Sequence, residues 1–98
     1  MTNYQVRIIL EKGGGALNFI RKFDFGNAED VEWDIFKKMS VTLDKTDNKN
    51  EWLVQLTVNW DDGEKEYLEF PYKTNIKSDD KVALEVFGQL RIQVLKLS

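Results

Sequence analysis

Side chains that bear oxygen crowd two short stretches of this sequence. Asp61, Asp62 and Glu64 surround Gly63, and Asp44, Asp47 and Glu51 flank a polar segment. Acid-rich loops hold calcium when their spacing follows D-x-[DN]-x-[DN]-G-x5-E, and neither stretch does. Paired carboxylates also hydrolyse glycosides when they stand about 5–10 Å apart across a sugar cleft, which a chain this small seldom forms. Gly13-Gly14-Gly15 follows an apolar run and invites a phosphate loop. Ala16-Leu17-Asn18 stands where the Lys and Ser/Thr of such a loop belong, and no GxGxxG spacing occurs. The acids therefore read as solvated turn residues and the glycines as a flexible hairpin turn. With no histidine and no cysteine in the chain, Ser–His and Cys–His nucleophiles and His/Cys zinc sites cannot be built. A protein that is not an enzyme, with no cofactor and no metal, is the expectation.

Arg21-Lys22-Phe23-Asp24-Phe25 interleaves bases with aromatic rings, as RNA-recognition sheets do where they stack single-stranded bases. The motif K/R-G-F/Y-G/A-F-V-x-F/Y is spoiled by Asp24 and by the missing second glycine. From residue 28 onward the element order matches that of double-stranded-RNA domains. Those domains open their last helix on a basic cluster, whereas this one opens on Ser78-Asp79-Asp80. The chain carries 14 basic and 17 acidic residues, a net charge of −3. Phosphate neutralisation dominates affinity for nucleic acid and calls for a basic domain. Nucleic acid is thus the disfavoured alternative partner, to be met by Arg7, Arg21, Lys22, Lys37 and Lys38. The amino terminus lacks a basic segment followed by an apolar one, and no apolar run approaches the roughly 20 residues of a membrane helix. The expected location is cytoplasmic.

The elements that must position these residues follow from periodicity. The 98 residues suit a single domain spanning 1–98, with no linker and no internal repeat evident. Tyr4, Val6, Ile8 and Leu10 alternate with other residues, the signature of a half-buried strand, and Leu17, Phe19, Phe23 and Phe25 form a second alternation broken only by Arg21. Asn27 caps a helix over 28–39, with Glu29 and Asp30 in its first turn and Lys37 and Lys38 near its end. Val41 and Leu43 begin a short strand. Trp52, Val54, Leu56, Val58 and Trp60 share one face of the clearest strand. A three-residue turn, Asp61-Asp62-Gly63, sets Leu56 opposite Leu68, Val54 opposite Phe70 and Trp52 opposite Tyr72. A two-residue turn would oppose apolar to polar residues, so the three-residue register is chosen, with Gly63 at positive φ. Pro71 marks the returning strand as an edge. Ser78 caps a final helix whose stripe is Ala83, Val86, Phe87, Leu90, Val94 and Leu97. The predicted fold is α+β: an antiparallel sheet of about five strands with two helices, ordered β-β-α-β-β-β-α. The alternation of Leu90, Ile92 and Val94 leaves a sixth strand at the end as the alternative.

Alternation assigns Ile9, Ile20, Leu53 and Tyr67 to the second face of that sheet, and Trp33 lies off the Val31/Ile35 stripe of the first helix. Exposed apolar patches with polar rims mark partner surfaces, and tryptophan and tyrosine are frequent anchors there. The second helix would have to cover this face to make all five residues core. The functional expectation is a small non-enzymatic protein-binding module: a regulator, inhibitor or assembly subunit, of a kind common among bacterial and phage accessory proteins. Its partner is another protein or a second copy of itself, reached through Ile9, Ile20, Trp33, Leu53 and Tyr67.

Overall fold

Alternating residues build six strands and two capped stretches build helices in the computed structural model, which describes residues 1–12 and 15–97. The elements are β1 (Thr2–Leu10), β2 (Ala16–Phe23), α1 (Ala28–Lys38), β3 (Met39–Lys45), β4 (Glu51–Asn59), β5 (Lys65–Lys73), α2 (Asp79–Gln89) and β6 (Leu90–Lys96). The expected turn at Gly13-Gly14 lies outside the described residues.

Helix α1 forms where its caps predict. The Asn27 side chain accepts from the Asp30 backbone N–H at 2.9 Å, acids occupy the first turn and lysines the last. Ser78 sits at the N-cap of α2 but makes no side-chain capping bond. Both helices run straight into strands, at Met39 (φ −85°, ψ 139°) and Leu90 (φ −75°, ψ 137°). The helical stripe expected as far as Leu97 is therefore corrected: helix ends at Gln89 and the sixth strand follows. Alternation wins because Leu90, Ile92 and Val94, partly buried, then lie opposite the buried Leu10, Ile8 and Val6 of β1.

The six strands divide between two antiparallel sheets, β2-β1-β6 and β3-β4-β5, in place of one sheet. The β4–β5 hairpin has the register the turn arithmetic selects: Leu56↔Leu68, Val54↔Phe70 and Trp52↔Tyr72, with Gly63 at φ 87°. Strand β5 lies at an edge, as Pro71 requires.

Two copies of one unit, strand–strand–helix–strand, make up the chain. Helix α2 begins 51 residues after α1 (Asp79 against Ala28), and β6 begins 51 residues after β3 (Leu90 against Met39). The central strands correspond at a spacing of 48, since the pair Leu10↔Leu90 has its counterpart in Val58↔Met39. The last strand of each unit leaves its own hairpin and pairs with the central strand of the other. This overturns the expectation of no internal repeat. Identical residues at the 51-residue spacing are sparse: Leu17/Leu68, Phe19/Phe70, Lys22/Lys73, Val31/Val82, Phe36/Phe87 and Lys45/Lys96. The repeat resides in burial, whose pattern is the same along β3 and β6.

One apolar cluster joins everything. Tyr4, Val6 and Ile8 of β1 pack with Val54, Leu56 and Val58 of β4, and Val31, Ile35, Val82 and Val86 bring both helices into the same core. Helix α1 lies against β6 and β4, α2 against β3, and the sheets meet along β2 and β5. The helices thus cover the inner sides of the sheets and leave the outer faces uncovered.

Candidate interaction surface and paired clefts

The division into two sheets decides the fate of the expected second-face patch. Ile9 and Ile20 lie on the outer face of β2-β1-β6, whereas Leu53 and Tyr67 lie on the outer face of β3-β4-β5. The four residues therefore do not form one patch, and this part of the expectation is corrected. Even within a sheet they stand apart: Ile9 pairs with Ala16 and Ile20 with Gln5, so about 13 Å of strand separates them at about 3.3 Å per residue. Ile20 is 65% exposed and Tyr67 48%, while Ile9 and Leu53 are half-buried. Polar neighbours interrupt both faces. The Tyr67 hydroxyl donates to Glu69 at 2.6 Å, and Gln55 donates to the same carboxylate oxygen at 3.1 Å. That bond raises the Tyr67 pKa and lowers that of Glu69.

Trp33 behaves differently, because it has company. Residues three apart on a helix are neighbours, and the Trp33 and Phe36 rings stack at 5.7 Å with 13° between planes. Phe36 in turn meets Phe87 of α2 edge-on at 6.3 Å. Leu84 lies one turn before Phe87. Trp33 is 61% exposed, Phe36 47% and Leu84 72%, with Phe87 half-buried. Trp33 and Leu84 are equivalent positions of the two units, as are Phe36 and Phe87. Each helix therefore carries two apolar stripes, one buried (Val31 and Ile35; Val82 and Val86) and one turned outward. Glu29 and Lys37, one turn either side of Trp33, and Asp80 and Lys81, one turn before Leu84, are exposed charges beside this surface. Phe36, Leu84 and Phe87 were missed in the sequence; the signal was Phe36 standing three residues after Trp33, off the buried stripe.

The five bases proposed for nucleic acid are scattered. Arg7 lies on the outer face of β1 between Asn18 and Gln93, and Lys37 and Lys38 lie on α1. Arg21 and Lys38 are already neutralised in a cleft of about 390 Å³ between β2, α1 and the β4–β5 turn. The Arg21 guanidinium lies 4.2 Å from the Trp60 ring centre and pairs with Asp62 at 2.9 Å and Glu64 at 3.4 Å. Asp62 also accepts the Glu64 backbone N–H, and this bond, then Arg21, holds its carboxyl below the usual range. Lys38 pairs with Asp34 at 2.9 Å and Asp61 at 3.5 Å. The bond to Asp34 is the main cause of its raised pKa, against the opposing effect of burial.

The other unit holds the counterpart cleft, about 630 Å³, lined by Lys12, Lys49, Lys73, Thr74, Asn75 and Glu85 among others. Here the cation and ring exchange places. Tyr72 occupies the position of Arg21 and Lys12 that of Trp60, with the Lys12 ammonium 5.3 Å from the Tyr72 ring centre. The Tyr72 hydroxyl donates to Glu85 and accepts from Gln89 at 2.8 Å. Burial first, and then the bond to Glu85, push its pKa up to about 12. Among the described residues no group of three or more acids is placed to hold a metal ion, and no helix is long and apolar enough to cross a membrane. Compared with protein families, curated proteins and solved structures, the chain matches none.

Proposed function

We propose that this chain is a non-enzymatic protein-binding module whose docking surface is the outward aromatic face of its two helices. One observation carries the reading: Trp33, Phe36 and Phe87 form a chain of ring contacts spanning α1 and α2, with Trp33 mostly and Phe36 about half in water. Clustered exposed rings of this size mark partner sites, and tryptophan is the residue most enriched among those that dominate binding energy. The partner is a protein with an apolar groove able to take Trp33 and Phe36. A cytoplasmic location belongs to the same reading, supported by a sequence without cysteine.

The test is capture from a lysate of the source cells with wild type, a Trp33→Ser/Phe36→Ser variant and Tyr67→Asp as the sheet-face control, all checked for fold by circular dichroism. Wild type and Tyr67→Asp should retrieve the same protein and the helix variant should lose it. Retrieval by the helix variant as good as wild type overturns the assignment, and loss in Tyr67→Asp alone moves the docking surface to the sheet. Light scattering identifies a second copy as the partner if wild type is dimeric and the helix variant monomeric.

A further inference from the structure

The two clefts occupy equivalent places, yet their charges are treated oppositely. Three cations meet four carboxylates in the cleft of Arg21, and the turn Asp61-Asp62-Gly63-Glu64 supplies the acids that bind Arg21 and assist at Lys38. At the 48-residue spacing, the positions equivalent to Asp61 and Asp62 are Gly13 and Gly14, which have no carboxylate to offer. Three lysines therefore share the larger cleft with one acid, Glu85. Glu85 is engaged by the Tyr72 hydroxyl and stands 3.7 Å from Lys12. Lys49 and Lys73 take part in no ion pair among the described residues. Like charges gathered in one cleft repel, and an anion entering it relieves that repulsion.

We propose that this lysine cleft binds a small phosphorylated molecule. Three ammonium groups suit a multiply charged phosphate better than a single carboxylate, and Lys is an established phosphate partner as a point charge. Asn75 adds a neutral donor beside the lysines, while the Thr74 hydroxyl donates to Glu85 at 3.5 Å. The volume falls within the about 300–1,000 Å³ of small-molecule sites, well beyond what one inorganic ion fills. Lys73 anchors the phosphate with Lys49, and Lys12 closes over it from the Tyr72 ring. This site is separate from the helical docking face, and its test does not involve Trp33 or Phe36.

Titration calorimetry with pyrophosphate, AMP and a single-stranded oligonucleotide tests the assignment, using wild type, Lys49→Ala, Lys73→Ala and Lys22→Ala. Lys22 is the equivalent of Lys73 in the neutralised cleft, and all three side chains are exposed, so the variants keep the fold. Pyrophosphate and AMP should bind wild type, with binding at least about tenfold weaker in Lys49→Ala and Lys73→Ala, since each loses a charge-assisted hydrogen bond to the phosphate. Lys22→Ala should bind as wild type. Equal binding by Lys73→Ala and wild type, an equal loss in Lys22→Ala, or binding of the oligonucleotide without binding of pyrophosphate or AMP would each overturn the proposal.

Discussion

Replacing Ile8 or Leu56 by alanine probes whether the two units melt as one. The two positions are equivalent at the 48-residue spacing; Ile8 is fully buried and Leu56 nearly so, each at the centre of its sheet. Truncating such a side chain costs about 2–5 kcal/mol through lost burial and a residual cavity. Taking about 3 kcal/mol against a urea slope of about 1.5 kcal/mol per molar, the midpoint falls by about 2 M. That is a large part of the about 5–15 kcal/mol expected for a domain of this length. Strand exchange makes the loss global, because β6 completes the first unit's sheet and β3 the second's. Phe19 and Phe23 of β2 also pack edge-on against Trp60, at 5.7 and 5.6 Å, across the junction of the sheets. The probes are well placed. With Trp33 of α1 replaced by phenylalanine in every sample, the remaining tryptophans, Trp52 and Trp60, both buried, belong to the second unit, whereas far-ultraviolet circular dichroism reports both units. In Ile8→Ala, tryptophan fluorescence and circular dichroism should move together to the same lower midpoint. A fluorescence midpoint left at the wild-type value, with a biphasic dichroism curve, would refute the coupling.

Three further outcomes follow from local conformation and protonation. Gly63→Ala places a β-carbon at φ 87° with nothing within 4 Å, so only the torsion opposes it; the loss of about 1–2 kcal/mol should lower Tm by roughly 5–10 °C. Gly88→Ala, in the uncrowded last turn of α2, should raise stability by up to about 1 kcal/mol, and equal signs in the two melts would contradict the argument. For Tyr72 the folded pKa of about 12 stands above its ordinary value of 10.0. The folded state holds that proton more tightly, so its contribution is intact below pH 10 and is lost as pH rises from 10 towards 12. Urea midpoints at pH 9 and pH 11 should converge in Tyr72→Phe relative to wild type; parallel slopes count against the assignment.

Local features of this fold were legible in the sequence because each had a local cause. The register of β4 against β5 follows from apolar matching and from the one turn length that puts Gly63 where positive φ is needed. Asn27, Glu29, Asp30 and the closing lysines delimit α1. The end of α2 was ambiguous because Leu90 satisfies both the helical stripe of Val86 and Phe87 and the alternation with Ile92 and Val94. No turn residue separates the two, and only the exposed ladder of β1 decides between them. Pairing of β1 with β6 and of β3 with β4 depends on which unit each closing strand joins, a choice no short-range pattern encodes. For the same reason Ile9 and Ile20 were grouped with Leu53 and Tyr67, from which a separate sheet divides them. Of the residues proposed for docking, Trp33 alone stacks on another large exposed ring, Phe36, which in turn meets Phe87 of a helix some 50 positions away.

Synthesis from the amino end gives the exchanged strands an order of completion. Residues 39–73 contain all three strands of β3-β4-β5, so that sheet can close as soon as they have left the ribosome. Its companion waits: β1 and β2 stand as a bare hairpin, marginal in water, until Leu90–Lys96 is made and Tyr4 finds Lys96. The nascent chain therefore passes through a stage in which one sheet is built and the central strand of the other has an open edge.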